Sequence, residues 1–145
     1  YTMFNRHPHM KEVMTLSNVD SAMRSCDTHL NSKEPLSKSK LNLIAIDICR
    51  CYGNLLEYIY LCKQEEIPGD KTIQELLDLV LTEKNASDLV KADILAKIPV
   101  VMNWENTQLP LPNINTTIDE VREVFVHLTK FYGWVETVYL PTTAE

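Results

Sequence analysis

The feature that most constrains the fold is the stretch 41–62, LNLIAIDICRCYGNLLEYIYLC, which is apolar around most of a helical wheel. Its polar members Asp47, Arg50, Asn54 and Glu57 recur at helical spacings of three, four and three, so they form one narrow polar strip. A helix that is apolar on most of its circumference is surrounded by other helices. The sequence therefore predicts an all-α fold, a single helical bundle around a long central helix at 37–66.

Helix start and stop signals predict the other elements of the bundle. Apolar residues at spacings of three and four indicate a helix over 10–30, with a possible break at Ser17 or Asn18. Two capping boxes, 72–75 and 117–120, each start a helix, and Pro99 ends or kinks the helix that follows Ser87. With no strand-like alternation of useful length, we expect five to six helices in one domain over 10–140, a loose lead-in at 1–9 and a tail at 141–145.

The segment 100–116, VVMNWENTQLPLPNINT, departs from this regular pattern. Its prolines exclude a continuous helix through the second half, so we expect a short helical turn and then an extended strap. Trp104, Leu109 and Leu111 on this segment either cover the core or form a docking edge for a partner. A second irregularity is Gly53 inside the long helix, which we attribute to the close approach of a neighbouring helix.

Charge and composition exclude several classes of function. The formal net charge is −6, which disfavours binding to a nucleic-acid backbone and favours a basic partner. Asp47, Arg50 and Glu57 would each cost about 2.5–3.5 kcal/mol at the centre of a bilayer, so we expect no membrane span. The three glycines are not clustered and no metal-ligand spacing is present, so we expect no nucleotide, metal or other cofactor.

The cysteines bear on the cellular compartment. Cys49 and Cys51 are two positions apart on a helix and point in different directions, and with Cys26 and Cys62 they form no disulfide framework. Free, buried cysteines are typical of a reducing compartment, so we expect an intracellular protein of the cytoplasm or nucleus. The glycosylation tripeptides at 85–87 and 115–117 keep open the alternative of a secreted helical signalling protein. Because the chain begins with Tyr1, we expect a piece of a longer protein.

Arg and His recur at one spacing, in Arg24–His29 and again in Arg122–His127. This spacing resembles the Arg-x4–6-His motif of the HEPN class of small helical RNases, although the resemblance covers only six residues and the helical architecture. It implies that Arg122 would hold a phosphate and that His127 would act as general base or acid. Glu123 stands where such motifs usually have a small polar residue, and an acid is unfavourable beside a phosphate.

The polar strip of the long helix has two interpretations. It either faces water, with Asp47 and Arg50 as an exposed ion pair, or it forms a polar site between helices. Together these patterns favour a helical protein–protein interaction domain that binds a basic or amphipathic segment in a groove between helices. The residues expected to contact the partner are Trp104, Leu109, Leu111, Asp47, Arg50 and Glu57. The HEPN-like RNase is the enzymatic alternative.

Overall fold

In a computed structural model of the chain, the structure describes residues 7–64, 75–78, 88–106 and 114–139. These ranges contain five helices and a further helical segment at 75–78. The all-α class predicted from the sequence is confirmed. The helices are α1 (His7–Leu30), α2 (Lys38–Gln64), α3 (Asp88–Ala96), α4 (Ile98–Asn106) and α5 (Ile118–Tyr139).

Helix α2 is the longest of the described helices, at 27 residues, and it packs against α1, α4 and α5. It begins after Ser37, whose hydroxyl accepts a hydrogen bond from the Lys40 amide at 3.1 Å. Most of its side chains between Ile44 and Leu61 are buried. The exception is the polar strip, which is half-buried or exposed over its whole length. This agrees with the prediction that the strip is narrow.

Two sulfur contacts define how α1 lies on α2. The Cys51 thiol is 4.0 Å from the carbonyl oxygen of Val19, and the Cys26 thiol is 4.0 Å from that of Ile44. The residue number on α1 rises as the number on α2 falls, so the two helices are antiparallel. Helix α1 is continuous from His7 to Leu30, so the break considered at Ser17 or Asn18 is absent from this helix.

Helix α5 packs on another side of α2, where the Phe131 and Tyr52 rings lie 5.8 Å apart. The Thr117 hydroxyl accepts a hydrogen bond from the Glu120 amide at 3.2 Å, as the capping box predicts. The Glu120 carboxylate, however, accepts a hydrogen bond from the neighbouring Thr116 hydroxyl. The buried face of α5 consists of Val121, Val124, Leu128, Phe131 and Val135.

Pro99 interrupts the helical path as the sequence predicts. Helix α3 ends at Ala96, Lys97 forms a turn, and α4 starts at Ile98 with Pro99 in its first turn. Proline is favoured there because the first turn of a helix has no intrahelical partner for its N–H groups. The helical turn expected in this region is a helix of nine residues.

The explanation offered for Gly53 is wrong. A Cβ atom built at Gly53 meets no atom within 4 Å apart from the adjoining backbone of its own helix, so no neighbouring helix requires a glycine there. We expect Gly53→Ala to raise the free energy of unfolding by about 0.5–1 kcal/mol, because alanine loses less backbone entropy in a helix. Urea denaturation measures this, and Gly133→Ala, equally open around its Cβ, is the matched variant. If Gly53→Ala were less stable than the wild type, a neighbouring group would have to exclude a side chain at position 53, in contradiction to the open space around it.

Candidate functional site

Trp104 lies in the core, with 1% of its surface exposed. On α4 it shares the inner face with Ile98 and Val101, which are also buried. In this conformation Trp104 covers the core, which was one of its two predicted roles, and a partner could reach it only after a rearrangement. Leu109 and Leu111 lie outside the described residues, so their predicted contacts stay predictions.

The polar strip of α2 faces solvent more than it faces another helix. The Arg50 side chain is 72% exposed, and its guanidinium is 4.0 Å from the Asp47 carboxylate. An exposed pair at this distance contributes about 0–1 kcal/mol. The strip therefore remains available to a partner, and nothing in the described part of the chain joins its residues into a closed polar site.

Glu57 is half-buried at one end of this strip, and desolvation raises the pKa of its carboxyl above the ordinary value of 4.5. When the pKa of a carboxyl is higher in the folded state than in the unfolded state, the folded protein becomes less stable as the pH rises through the interval between the two pKa values. We expect Glu57→Gln to leave stability almost unchanged at acidic pH and to increase it at neutral pH. Thermal melts of both proteins across this pH range test the sign, and an opposite trend would mean that Glu57 has a cationic partner.

Arg122 has a structural role at the end of another helix. Its guanidinium donates a hydrogen bond of 2.9 Å to the carbonyl oxygen of Leu30, the last residue of α1. Carbonyl groups at a helix C-terminus lack intrahelical partners and carry partial negative charge, so a cation there is favourable. The residue with the predicted phosphate-binding role thus joins α5 to α1.

His127 is half-buried on α5, and its Nδ1 atom is buried without a hydrogen-bond partner among the described residues. Five positions along one helix correspond to a rotation of about 140°, so Arg122 and His127 do not share a face. Glu123, between them, binds Lys97 at 2.6 Å, which lowers the pKa of its carboxyl. RNA cleavage by the wild type and not by His127→Ala would establish the RNase alternative, which stays a prediction.

The other Arg–His pair lies on α1. Arg24 is exposed and forms an ion pair of 3.0 Å with Asp20. Such a pair is expected between residues four positions apart on a surface helix. His29 is half-buried near the end of α1. No described contact joins these side chains to those of Arg122 and His127.

Three cysteines are free and buried: Cys26, Cys49 and Cys51. Cys49 points to the Val101 carbonyl on α4 at 3.5 Å, whereas Cys51 points to α1, so the predicted divergence is confirmed. Burial raises the pKa of each thiol to about 12. Because the thiolate is the reactive form, none of the three is suited to nucleophilic catalysis.

We expect these thiols to react with a thiol-specific reagent only when the protein unfolds. A Cys62→Ser variant keeps the three described cysteines and removes the fourth. Its labelling should be slow in buffer and rapid and complete in denaturant. Fast labelling in buffer would mean that the interface between α1 and α2, or between α2 and α4, opens readily.

The feature that sequence reasoning missed is an open groove of about 470 Å³ beside α4. The described residues that line it come from the segment 75–78, the end of α3 and α4. They are Leu77, Leu95, Ile98, Pro99, Met102, Asn103 and Asn106.

The groove runs along the side of α4 that borders its buried face, and Ile98 belongs to both. The groove side of α4 carries Pro99, Met102, Asn103 and Asn106. The inner side of the helix carries the buried Val101 and Trp104. Leu95 on α3 is 39% exposed, although leucine is usually buried. No local sequence pattern indicates this exposure.

Two features are absent from residues 7–64, 75–78, 88–106 and 114–139. Within these ranges no three His, Cys, Asp or Glu side chains are placed to hold a metal ion. Of the helices described, none combines the length and apolar character needed to cross a membrane.

No protein-family model, curated protein or solved structure matches the chain.

Proposed function

We propose that this chain is a helical interaction domain that binds a segment of a partner protein in the groove beside α4. The observation that carries the proposal is the groove itself, which is open to solvent and lined by five apolar side chains. Clefts of about 300–1,000 Å³ with mostly apolar walls and a few polar groups are typical binding sites. Leu77 and Ile98 are buried in its floor, and the apolar surface that Leu95, Pro99 and Met102 expose gains free energy when a partner covers it.

Charge supports a basic partner. The chain has a formal net charge of −6, and the described lining of the groove contains no basic side chain. Lys97, which adjoins the groove, is only 19% exposed and is already paired with Glu123. A basic segment would be attracted by the overall field, which raises the rate of association.

The cellular location of the chain and its contacts outside the groove also belong to this proposal. Buried free cysteines favour a reducing environment such as the cytoplasm or nucleus. Leu109 and Leu111 follow α4 closely in the chain and remain candidate contacts. The polar strip with Asp47, Arg50 and Glu57 is a second, partly exposed surface, to which a partner longer than the groove could extend.

The test is a pull-down from cell extract with the wild-type domain and two leucine variants. Leu95→Glu places a carboxylate in the groove, and Leu43→Glu places one on α2, where Leu43 is 57% exposed. We expect a protein retained by the wild type and by Leu43→Glu to be lost with Leu95→Glu, with affinity reduced about tenfold or more. Equal retention by all three proteins would contradict binding in the groove.

A further inference from the structure

Two asparagines on the wall of the groove indicate what kind of segment it binds. Asn103 and Asn106 lie one turn apart on the outer face of α4, and both are exposed. Within the described part of the chain, neither amide has a hydrogen-bond or ion-pair partner. The groove therefore presents two free NH₂ groups and two free amide carbonyl groups beside an apolar floor.

Amide side chains match the chemistry of a peptide main chain. Each one donates from its NH₂ group and accepts at its carbonyl oxygen, which is what an exposed main-chain N–H and C=O require. A bound helix has these groups paired within itself, so its main chain cannot bind the asparagines. An extended peptide has them free. Anionic ligands fit less well, because no Arg or Lys is among the described residues that line the groove.

The spacing of the two asparagines also suits an extended chain. Residues three apart on a helix have Cβ atoms about 5–6 Å apart. Along one edge of an extended peptide the main-chain groups recur every second residue, at about 6.6–6.8 Å. Two flexible amide side chains can span this small difference, so each can reach one main-chain position.

We infer that the occupant of the groove is an extended basic peptide whose main chain binds Asn103 and Asn106. Its apolar side chains would pack on Leu95 and Met102, and its positive charges would be favoured by the acidic domain. The inference rests on the proposed function and adds the conformation of the partner to it.

The experiment selects short random peptides displayed on phage against the wild-type domain, with counter-selection on Leu95→Glu. The selected peptides are then measured against Asn103→Ala, Asn106→Ala and the double variant, with Asn18→Ala on the exposed side of α1 as the matched control. We expect basic peptides that show no helix by circular dichroism when bound. The double variant should bind about tenfold more weakly at an unchanged melting temperature, since two hydrogen bonds are lost.

Methylation of single peptide amides separates main-chain recognition from side-chain contacts. A methyl group at the contacting amide should weaken binding to the wild type and have little further effect on the double variant. This inference would be overturned if the selected peptides bind as helices and bind equally well with and without the two asparagines. If the same peptides still lose affinity for Leu95→Glu, the groove remains the binding site. If no peptide is enriched over the Leu95→Glu background and the pull-down shows no dependence on Leu95, both proposals fall.

Discussion

Replacing Trp104 by alanine is expected to lower the free energy of unfolding by about 3–5 kcal/mol. Trp104 is among the largest of the fully buried side chains, and it belongs to the core that α2, α4 and α5 share. Alanine would remove most of its apolar surface and leave a cavity that the surrounding helices cannot fill completely. Urea denaturation followed by circular dichroism measures the loss, and the smaller native population should also appear as faster thiol labelling.

The control for this variant is Leu43→Ala on the exposed side of α2. Its effect should stay within about 0.5 kcal/mol, because an exposed side chain makes few contacts. If Trp104→Ala were equally mild, Trp104 would contribute little to the core, and its alternative role as a partner contact would regain support. The large loss expected also explains why Leu95 is the better residue with which to test binding.

Replacing Arg122 by methionine is expected to cost about 1–2 kcal/mol. Methionine keeps much of the apolar length of arginine but cannot donate a hydrogen bond to Leu30, so the carbonyl group at the end of α1 loses its cationic partner. The positive charge of Arg122 is also attracted to the negative C-terminal end of the α1 dipole, and methionine loses this attraction. The loss should shrink at high salt, which screens the charge but leaves packing unchanged.

Arg24→Met is the matched control for Arg122→Met. Arg24 is an exposed arginine on α1 that pairs with Asp20 one turn away, and such pairs contribute about 0.3–0.5 kcal/mol. Equal losses for both variants would show that the contact between Arg122 and Leu30 is not stabilising. Such a result would return Arg122 to the list of candidate functional residues.

The helices could be predicted from the sequence because their signals are local. The long apolar run of α2, the break at Pro99 and the cap at Thr117 each depend on residues within a few positions of one another. The divergence of Cys49 and Cys51 follows in the same way from the angle between neighbouring positions on a helix.

The groove could not be predicted because it depends on how separate elements meet. Leu95 belongs to an apolar face by its spacing, yet it is exposed because no described element covers the corner between α3 and α4. The contact of Arg122 with Leu30 joins residues 92 positions apart and leaves no local pattern. The misread role of Gly53 has the same cause, since crowding by another helix is a property of the tertiary structure.

The measurement that tests the groove most directly is an NMR titration of the ¹⁵N-labelled domain with a selected peptide. If the groove is the binding site, the largest shifts will fall on Leu77, Leu95, Met102 and the side-chain amides of Asn103 and Asn106. Binding that shifts the polar strip of α2 around Asp47 and Glu57 and leaves these groove resonances unmoved would contradict the account.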